Sequence, residues 1–484
     1  MARGRTRGRG LARALAAALA LGSCAALSPA AGDELGIDLS DTPLPLLTFE
    51  DLPARAGPII EIGRGINEVG PLSEGIELPT GAVWQPALWI YGSQRIALLA
   101  TDGDRRTRPH GDRSELMTRM DLFANLQLSG TERILAHVRP MDRKGQFAGR
   151  VLGPDSVESD WKAEWDADFE TIFFEGDLGE MFPLMDPQDS GSGDLALVVG
   201  RFPVEFQNGY LVRDEMTAVG LSQDNIQMEG SSGIRIAGLW AFDHINESAG
   251  KPDDRDVDLF GLFIEGDFPW GLLELDVAGT VAGEERGKQV NAGVGWTGHI
   301  AGNNYSVYAN VSHHYDQSPK VEDFDGALLV GSYSTEVNLR RDLLYATGYW
   351  AAGDFGRVAS NGSPPLGPVG LSYAGVGLGG YRPALWPRPL DSAGFAAGYQ
   401  MFFSEERTNW VVEVAHRQDL AKDDGPGDTS GLALTTRVQQ KLFEHLMLQL
   451  DAYYAIHSGD GRGPQDAETD EDSSAIRLEL RVNF

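Results

Sequence analysis

One pattern constrains this chain more than any other: long stretches in which every second residue is apolar. Over 116 to 128, Leu116, Thr118, Met120, Leu122, Ala124, Leu126 and Leu128 share one face of an extended chain, and Arg119, Asp121, Asn125 and Gln127 share the other. More than ten residues of period-2 alternation is long for a soluble strand and right for a tilted strand that crosses a bilayer. The pattern recurs. Trp410, Val412 and Val414 oppose Glu413 and Arg417, and Leu432, Leu434, Val438 and Leu442 oppose Thr435, Arg437, Gln439 and Lys441. Leu446, Leu448, Leu450, Ala452, Tyr454 and Ile456 oppose Gln449 and Asp451.

Similar segments lie near 131 to 140, 168 to 177, 193 to 204, 211 to 222, 233 to 244, 257 to 267, 271 to 282, 289 to 301, 304 to 315, 326 to 338, 342 to 353, 368 to 381 and 394 to 403. With the last ten residues, AIRLELRVNF, the count is about 18. Short links such as Ser129-Gly130-Thr131, Pro269-Trp270 and Glu444-His445 alternate with long polar ones at 141 to 165, 245 to 256, 354 to 367, 382 to 393, 418 to 430 and 457 to 474. The expectation is an all-β, antiparallel, up-and-down transmembrane barrel of 16 to 18 strands, with short periplasmic turns and long outer loops. A sandwich or propeller favours shorter strands. Beyond the first 30 residues no apolar run is long enough for a membrane-spanning helix.

The opening residues read as an export signal, 1 to 30: Arg3, Arg5, Arg7, Arg9 and Arg13 precede the apolar ALAAALAL, and Ser28-Pro29-Ala30 offers a small-residue cleavage site. Leu21-Gly22-Ser23-Cys24 also has the form of a lipobox, which makes Cys24 a candidate for lipidation. As the single Cys in the chain it allows no internal disulfide and no thiolate metal cluster. Residues 31 to 83, rich in Pro and Gly, read as a periplasmic lead-in or as a plug in the lumen, and 84 to 484 as the barrel. Trp84 to Ala100 is the candidate first strand, weakened by Pro86.

On these features the chain resembles a Gram-negative outer-membrane porin. They are the signal, the repeated alternation from about 113 to 484, and the final RLELRVNF, which is similar to the C-terminal targeting signal of such barrels. The resemblance implies that Phe484 is read by the barrel-assembly machinery. RMDLFANLQLSGTERI (119 to 134) and VVGRFPVEFQNGYLVRDEMTAVGLSQDN (198 to 225) faintly resemble the alginate-export and related large porin families.

If the apolar faces meet lipid, the candidate pore-lining residues are Arg119, Asp121, Glu413, Arg417, Arg437, Gln439, Lys441, Gln449, Asp451, Arg477, Glu479 and Arg481. Both signs occur. Basic and acidic ladders that face each other orient dipolar solutes; the same charges paired between neighbouring strands only stiffen the wall. Taking 116 to 128 as the first strand sets Arg119 and Asp121 beside Glu479 and Arg481 at closure. Arg213, Asp214 and Glu215, in the interrupted stretch 201 to 216, are candidates for a constriction, as is the loop 141 to 165 with Arg143, Lys144, Arg150, Trp161 and Trp165.

Seventy-one acidic against 40 basic residues, a formal charge of -31, argue against a nucleic-acid partner and for a surface that gathers cations. Acidic loops at 251 to 258 and 460 to 472 lack EF-hand spacing. Gly375, Gly377 and Gly380 match GxGxxG without a Rossmann unit around them, and His313-His314 with Asp316, or Asp243-His244, do not converge along a strand. The reading is therefore not an enzyme. It is a channel without cofactors or metal that passes small hydrophilic solutes or ions passively. The partners expected are outer-membrane lipid and lipopolysaccharide, the assembly machinery and solutes, with the chain either a monomer or one of three copies in a trimer. An export pore for an anionic polysaccharide and a structural or adhesive barrel with a closed lumen are the alternatives.

Overall fold

The computed structural model describes residues 57–66, 75–102, 113–143, 146–152, 161–183, 195–246, 257–282, 288–316, 325–337, 341–375, 378–403, 407–420, 429–457 and 472–484. Cys24 and the rest of the signal region lie outside the described residues, as do 31–56, 67–74 and the acidic stretches 251–256 and 460–471. The compact unit runs from Gly57 to Phe484.

Alternation becomes wall. Ser473–Asn483 exposes Ile476 and Leu478 at 51% and 44% and buries Arg477 and Glu479 completely, so the apolar face is outside and the charged face inside. Eighteen antiparallel strands close into a barrel. The wall opens with Ala87–Asp102 and Arg113–Gln127, and its third position is shared by Arg133–Val138 and Gln146–Leu152, which pair with successive parts of Arg113–Gln127. It continues through Phe169–Asp177, Leu195–Phe206, Val212–Ile226, Gly233–Asp243, Val257–Phe268, Gly271–Ala282, Lys288–Ile300, Asn303–Asp316, Gly326–Glu336 and Leu343–Gly353. Ser392–Phe403, Thr408–Asp419, Gly431–Lys441, Leu446–His457 and Ser473–Asn483 complete it, and the last pairs with Ala87–Asp102. Aromatic rings gather outside at two levels. Trp270, Trp410 and Phe443 lie at the short-turn end, and Trp240, Phe260, Phe395 and Tyr454 lie towards the long-loop end, the two girdles of a membrane barrel.

Three assignments change. The expected outer loop 141 to 165 contains a wall strand, Gln146–Leu152. The segment 368 to 381 is not a strand: it belongs to the long connection 354 to 391, whose regular structure among the described residues is a single short 3-10 helix, Gly367–Val369. It buries the adjacent Ser372 and Tyr373 together in a turn. The place it vacates is filled by Ala87–Asp102, since Pro86 stands just before the strand and removes no ladder donor from it. Closure therefore falls on this strand, and Arg119 and Asp121 are not the neighbours of Glu479 and Arg481. Arg95 is opposite Arg481 and next to Glu479.

At the short-turn end, Ala87–Asp102 extends beyond Phe484. There Ile60, Glu61 and Ile62 pair with Ile90, Trp89 and Leu88, so a short strand, Ile60–Ile62, continues the line of the C-terminal strand. Farther on, Ile76–Glu77 pairs with Val83–Trp84.

Candidate lumenal site

The connection 354 to 391 lies inside the barrel. It touches inward-facing residues on strands spread around the ring, which a loop above the rim could not reach. Gly356 O accepts from Gln289 and Asn291 at 2.9 and 2.8 Å, Tyr373 OH donates to His416 O at 2.7 Å, and Gly380 N donates to Glu115 at 2.9 Å. Phe355, Val358, Leu366, Val369, Tyr373, Leu378 and Leu385 are buried against the wall. That wall is itself apolar in part, with Phe202, Met216, Leu259 and Phe263 under Val358 and Ala359. Each such side chain removed from water contributes about 1.5–3 kcal/mol, which holds the loop down without a regular element. Burial pushes the Tyr373 and Tyr381 phenols in this loop above their ordinary range.

Two of the expected pore residues serve this loop rather than water. Glu413, fully buried, accepts from Ser372 N and Oγ, Leu371 N and Tyr345 OH. Arg417, also fully buried, donates to the Arg388 and Trp386 carbonyls and Tyr349 OH, and its guanidinium stands 5.2 Å from the Trp386 ring. The sequence marked both as inward but carried no sign that chain would cover them. Arg357, in the loop, is wrapped by Ser363 O and Oγ and the Pro364 carbonyl, and burial together with Arg213 lowers its pKa to about 10.

A second segment turns inward. The hairpin between Leu195–Phe206 and Val212–Ile226 has its tip at 207 to 211, where Gln207, Asn208 and Gly209 all take positive φ (55°, 51° and 75°). Two of those are not glycine, so the bend is held against its local preference by what it reaches. Gln207 Nε2 donates to Asp276 at 2.6 Å, Phe206 stacks on Phe263 at 3.4 Å, and Tyr210 meets Tyr308 at 5.7 Å. Val358 N then donates to Leu211 O at 3.1 Å, and Asn361 N to Arg213 O at 2.8 Å, so hairpin and loop meet inside the wall. Of the cluster there, Asp214 is buried, accepting from Asn246 N and Nδ2, while Arg213 is half-exposed and 3.3 Å from Glu205, and Glu215 lies 3.8 Å from Arg139. Trp161 and Trp165 of the rival loop are exposed at 50% and 67%, and Lys162 pairs with Gly149 of the wall. Lys144 lies outside the described residues.

Around the closing seam the lumen wall is charged. Asp451 receives Arg477 at 2.9 Å and Arg437 at 2.5 Å; Glu479 receives Arg95 at 2.7 Å, Arg477 at 2.6 Å and Arg481 at 3.3 Å. Asp121 receives Arg119 at 2.8 Å, His137 at 3.1 Å and Arg139 at 3.3 Å. Gln449 donates to Asp451 and accepts from Gln439. The layering decides the chemistry. The carboxylate side chains of Glu479, Asp451 and Asp121 are exposed at 0%, 3% and 9%, while Arg95, Arg119, Arg139, Arg437 and Arg481 keep 13%, 17%, 20%, 25% and 31%. Water in the lumen meets guanidinium groups, with the carboxylates behind them. Lys441 is exposed, at the short-turn end of its strand. Arg95 and Arg139 were missed, although Arg95 sits between Gln94 and Ile96 in a strand the sequence did mark.

Half-way round the ring the inward face of Val257–Phe268 and Gly271–Ala282 carries Glu265, Glu274 and Asp276. The lumen thus has a basic side and an acidic side.

No protein-family model matches the chain, and no curated protein matches it in sequence. Among solved structures, OccAB3 of Acinetobacter baumannii superposes with a TM-score of 0.52 at 12% identity, covering 82% of this chain and 99% of that one. OccK2 (OpdF) of Pseudomonas aeruginosa, solved in complex with glucuronate, gives 0.51 at 10% identity over 82% and 98%. At such identity the likeness is one of fold: an 18-stranded antiparallel closed barrel.

Proposed function

We propose that this chain is an outer-membrane channel of a Gram-negative bacterium through which small hydrophilic solutes diffuse down their gradient. The long-loop end faces outward and the short turns face the periplasm. The observation that carries the reading is the guanidinium layer standing in front of buried carboxylates, which draws solutes bearing an anionic group despite the negative total. The acidic side opposite orients solutes that also carry a positive group. Glucuronate, a small carboxylate, is what the OccK2 structure holds, and a ligand of that kind suits an arginine-faced wall.

Planar-bilayer recording tests this. Open steps with a reversal potential on the anion side support it, and a shift of that potential towards cations in Arg95→Gln/Arg481→Gln locates the selectivity. Absence of steps overturns the reading and favours the structural or adhesive barrel, for which the tightly packed loop 354 to 391 speaks. The duct for an anionic polysaccharide, which the faint alginate-export resemblance suggests, shares the arginine face, but the inward loop and hairpin occupy the section such a polymer needs. Block by an acidic polymer from the short-turn side would favour it. Phe484 as assembly signal, Cys24 as a candidate for lipidation beside plain cleavage after Ala30, residues 31 to 83 as a periplasmic lead-in or plug, and a monomer or trimer in lipopolysaccharide-bearing membrane belong to the same proposal. Loss of barrel from the outer membrane on deleting Phe484 checks the first of these.

A further inference from the structure

The acidic side of the lumen holds a groove with an unusual floor. Asp276, Gly293 and Asn310 lie opposite one another on three adjacent strands, and so do Glu274, Gly295 and Tyr308. The glycines leave the middle strand bare, and side chains of the outer two rows, about 10 Å apart at their backbones, lean over it and fill the space. Asn310 Oδ1 sits 2.2 Å from where a Cβ on Gly293 would stand, and Gln207 Cδ, arriving from the inward hairpin, is 3.1 Å from the same point. Glu274 Oε2 is 2.7 Å from the corresponding point on Gly295.

Gln207 Nε2 donates to Asp276, which also accepts from Ile264 N, but other polar atoms beside them have no partner. Asn310 is 2% exposed, and neither its Oδ1 nor its Nδ2 has a hydrogen-bond partner; Gln207 is fully buried and its Oε1 has none. Each such group destabilises the fold if nothing fills the gap. The charge is equally unbalanced. Glu274 stands directly across from Glu265 and two residues from Asp276, and like charges opposite each other in a sheet repel. Glu265 has Arg235 at 3.3 Å, but no basic side chain reaches Glu274 or Asp276 among the described residues. No three His, Cys, Asp or Glu side chains converge among those residues, so a ligand here meets two carboxylates and the amide oxygens.

Two carboxylates with Asn and Gln carbonyl oxygens, roofed by a buried hairpin, form the donor set of a hard divalent cation. We propose that Glu274, Asp276, Asn310 and Gln207 bind a divalent cation such as calcium in the lumen, beneath the 207 to 211 hairpin. The ion neutralises the acidic row and gives Asn310 Oδ1 and Gln207 Oε1 the partner they lack. Occupancy also ties the hairpin tip to the opposite strands, since Gln207 then holds both Asp276 and the ion.

The test is terbium luminescence on the purified full-length protein in detergent, using Tyr308 and Tyr210 as sensitisers. A saturable terbium signal displaced by calcium is expected. It should weaken by about tenfold or more in Glu274→Gln/Asp276→Asn and also in Asn310→Leu, which keeps both carboxylates, and stay unchanged in Glu336→Gln at the short-turn end. Heat-modifiable migration confirms that each variant folds. The same signal in the double variant, or no calcium-displaceable signal in the native protein, overturns the site. Binding is read without any current, so a barrel silent in bilayers leaves the proposal standing or falling by itself.

Discussion

Arg95 holds Glu479 through two hydrogen bonds of 2.7 and 2.8 Å, joining the first wall strand to the last across the line where the barrel closes. Glu479 also receives Arg477 and Arg481, so one buried carboxylate serves three guanidinium groups. Removing one partner of a buried pair is costlier than the pair is worth. Glu479→Gln should therefore destabilise the folded barrel by about 3–5 kcal/mol, read as a lower temperature for loss of heat-modifiable migration. Arg481→Gln, with 31% of its side chain exposed, should cost far less.

The inward loop hangs on Glu413. Glu413→Ala removes the acceptor for Ser372, Leu371 and Tyr345 and leaves those donors buried, so the loop should lift and single-channel conductance rise, with larger current noise. Replacing residues 357 to 386 by a short Gly-Ser linker should give the same rise without the noise. Truncating 161 to 165, which is exposed, should leave conductance unchanged.

Gly92 stands at the seam and tight against the neighbouring strand Arg113–Gln127. It exchanges backbone hydrogen bonds with Phe484 at 2.6 and 3.0 Å, and a Cβ there would come 2.2 Å from Asp121 O. Gly92→Val forces backbone apart, and the expected outcome is a barrel that assembles poorly, measured as a fall in the heat-modifiable fraction. Gly238→Ala, where nothing lies near the added carbon, is the matched control.

Glu132, in a short turn, is 1% exposed with neither carboxylate oxygen partnered, and desolvation, with Glu180 and Asp177 nearby, raises its pKa above the ordinary value. A carboxyl that takes its proton more readily folded than unfolded makes the fold more stable as pH drops through the raised pKa towards 4.5, and the gain is complete below that value. Stability against denaturant should rise as the pH falls from neutrality towards 4.5 in the native protein, and Glu132→Gln should raise stability at neutral pH and flatten that rise.

The wall was legible because lipid on one side and water or buried charge on the other write a period of two into every spanning strand. Ile476 and Leu478 against Arg477 and Glu479 show it at the end of the chain. The inward loop was not legible: 368 to 381 alternates by sequence, yet adjacent Ser372 and Tyr373 are both buried in a turn held by Glu413 and His416, far along the chain. Which charges meet water was hidden as well. Arg417 and Arg481 look alike in sequence, yet one is covered by Trp386 and the Arg388 carbonyl and the other is not. Such cover comes from contacts between residues far apart in the chain, Glu115 with Gly380 for instance, that no local pattern records. The interruption at 201 to 216 did carry a local signal, in Gln207-Asn208-Gly209.

The short strand Ile60–Ile62 bears on the order in which the barrel can be made. An unclosed sheet has two raw edges, and a raw edge recruits strangers. At the N-terminal edge, Leu88 to Ile90 can be covered early by neighbours fewer than about 30 residues away, whereas Ser93 to Asp102 must wait for a strand nearly 400 residues later. A short part of that edge thus carries its own guard through synthesis and export. The rest is left open for the one strand that fits it.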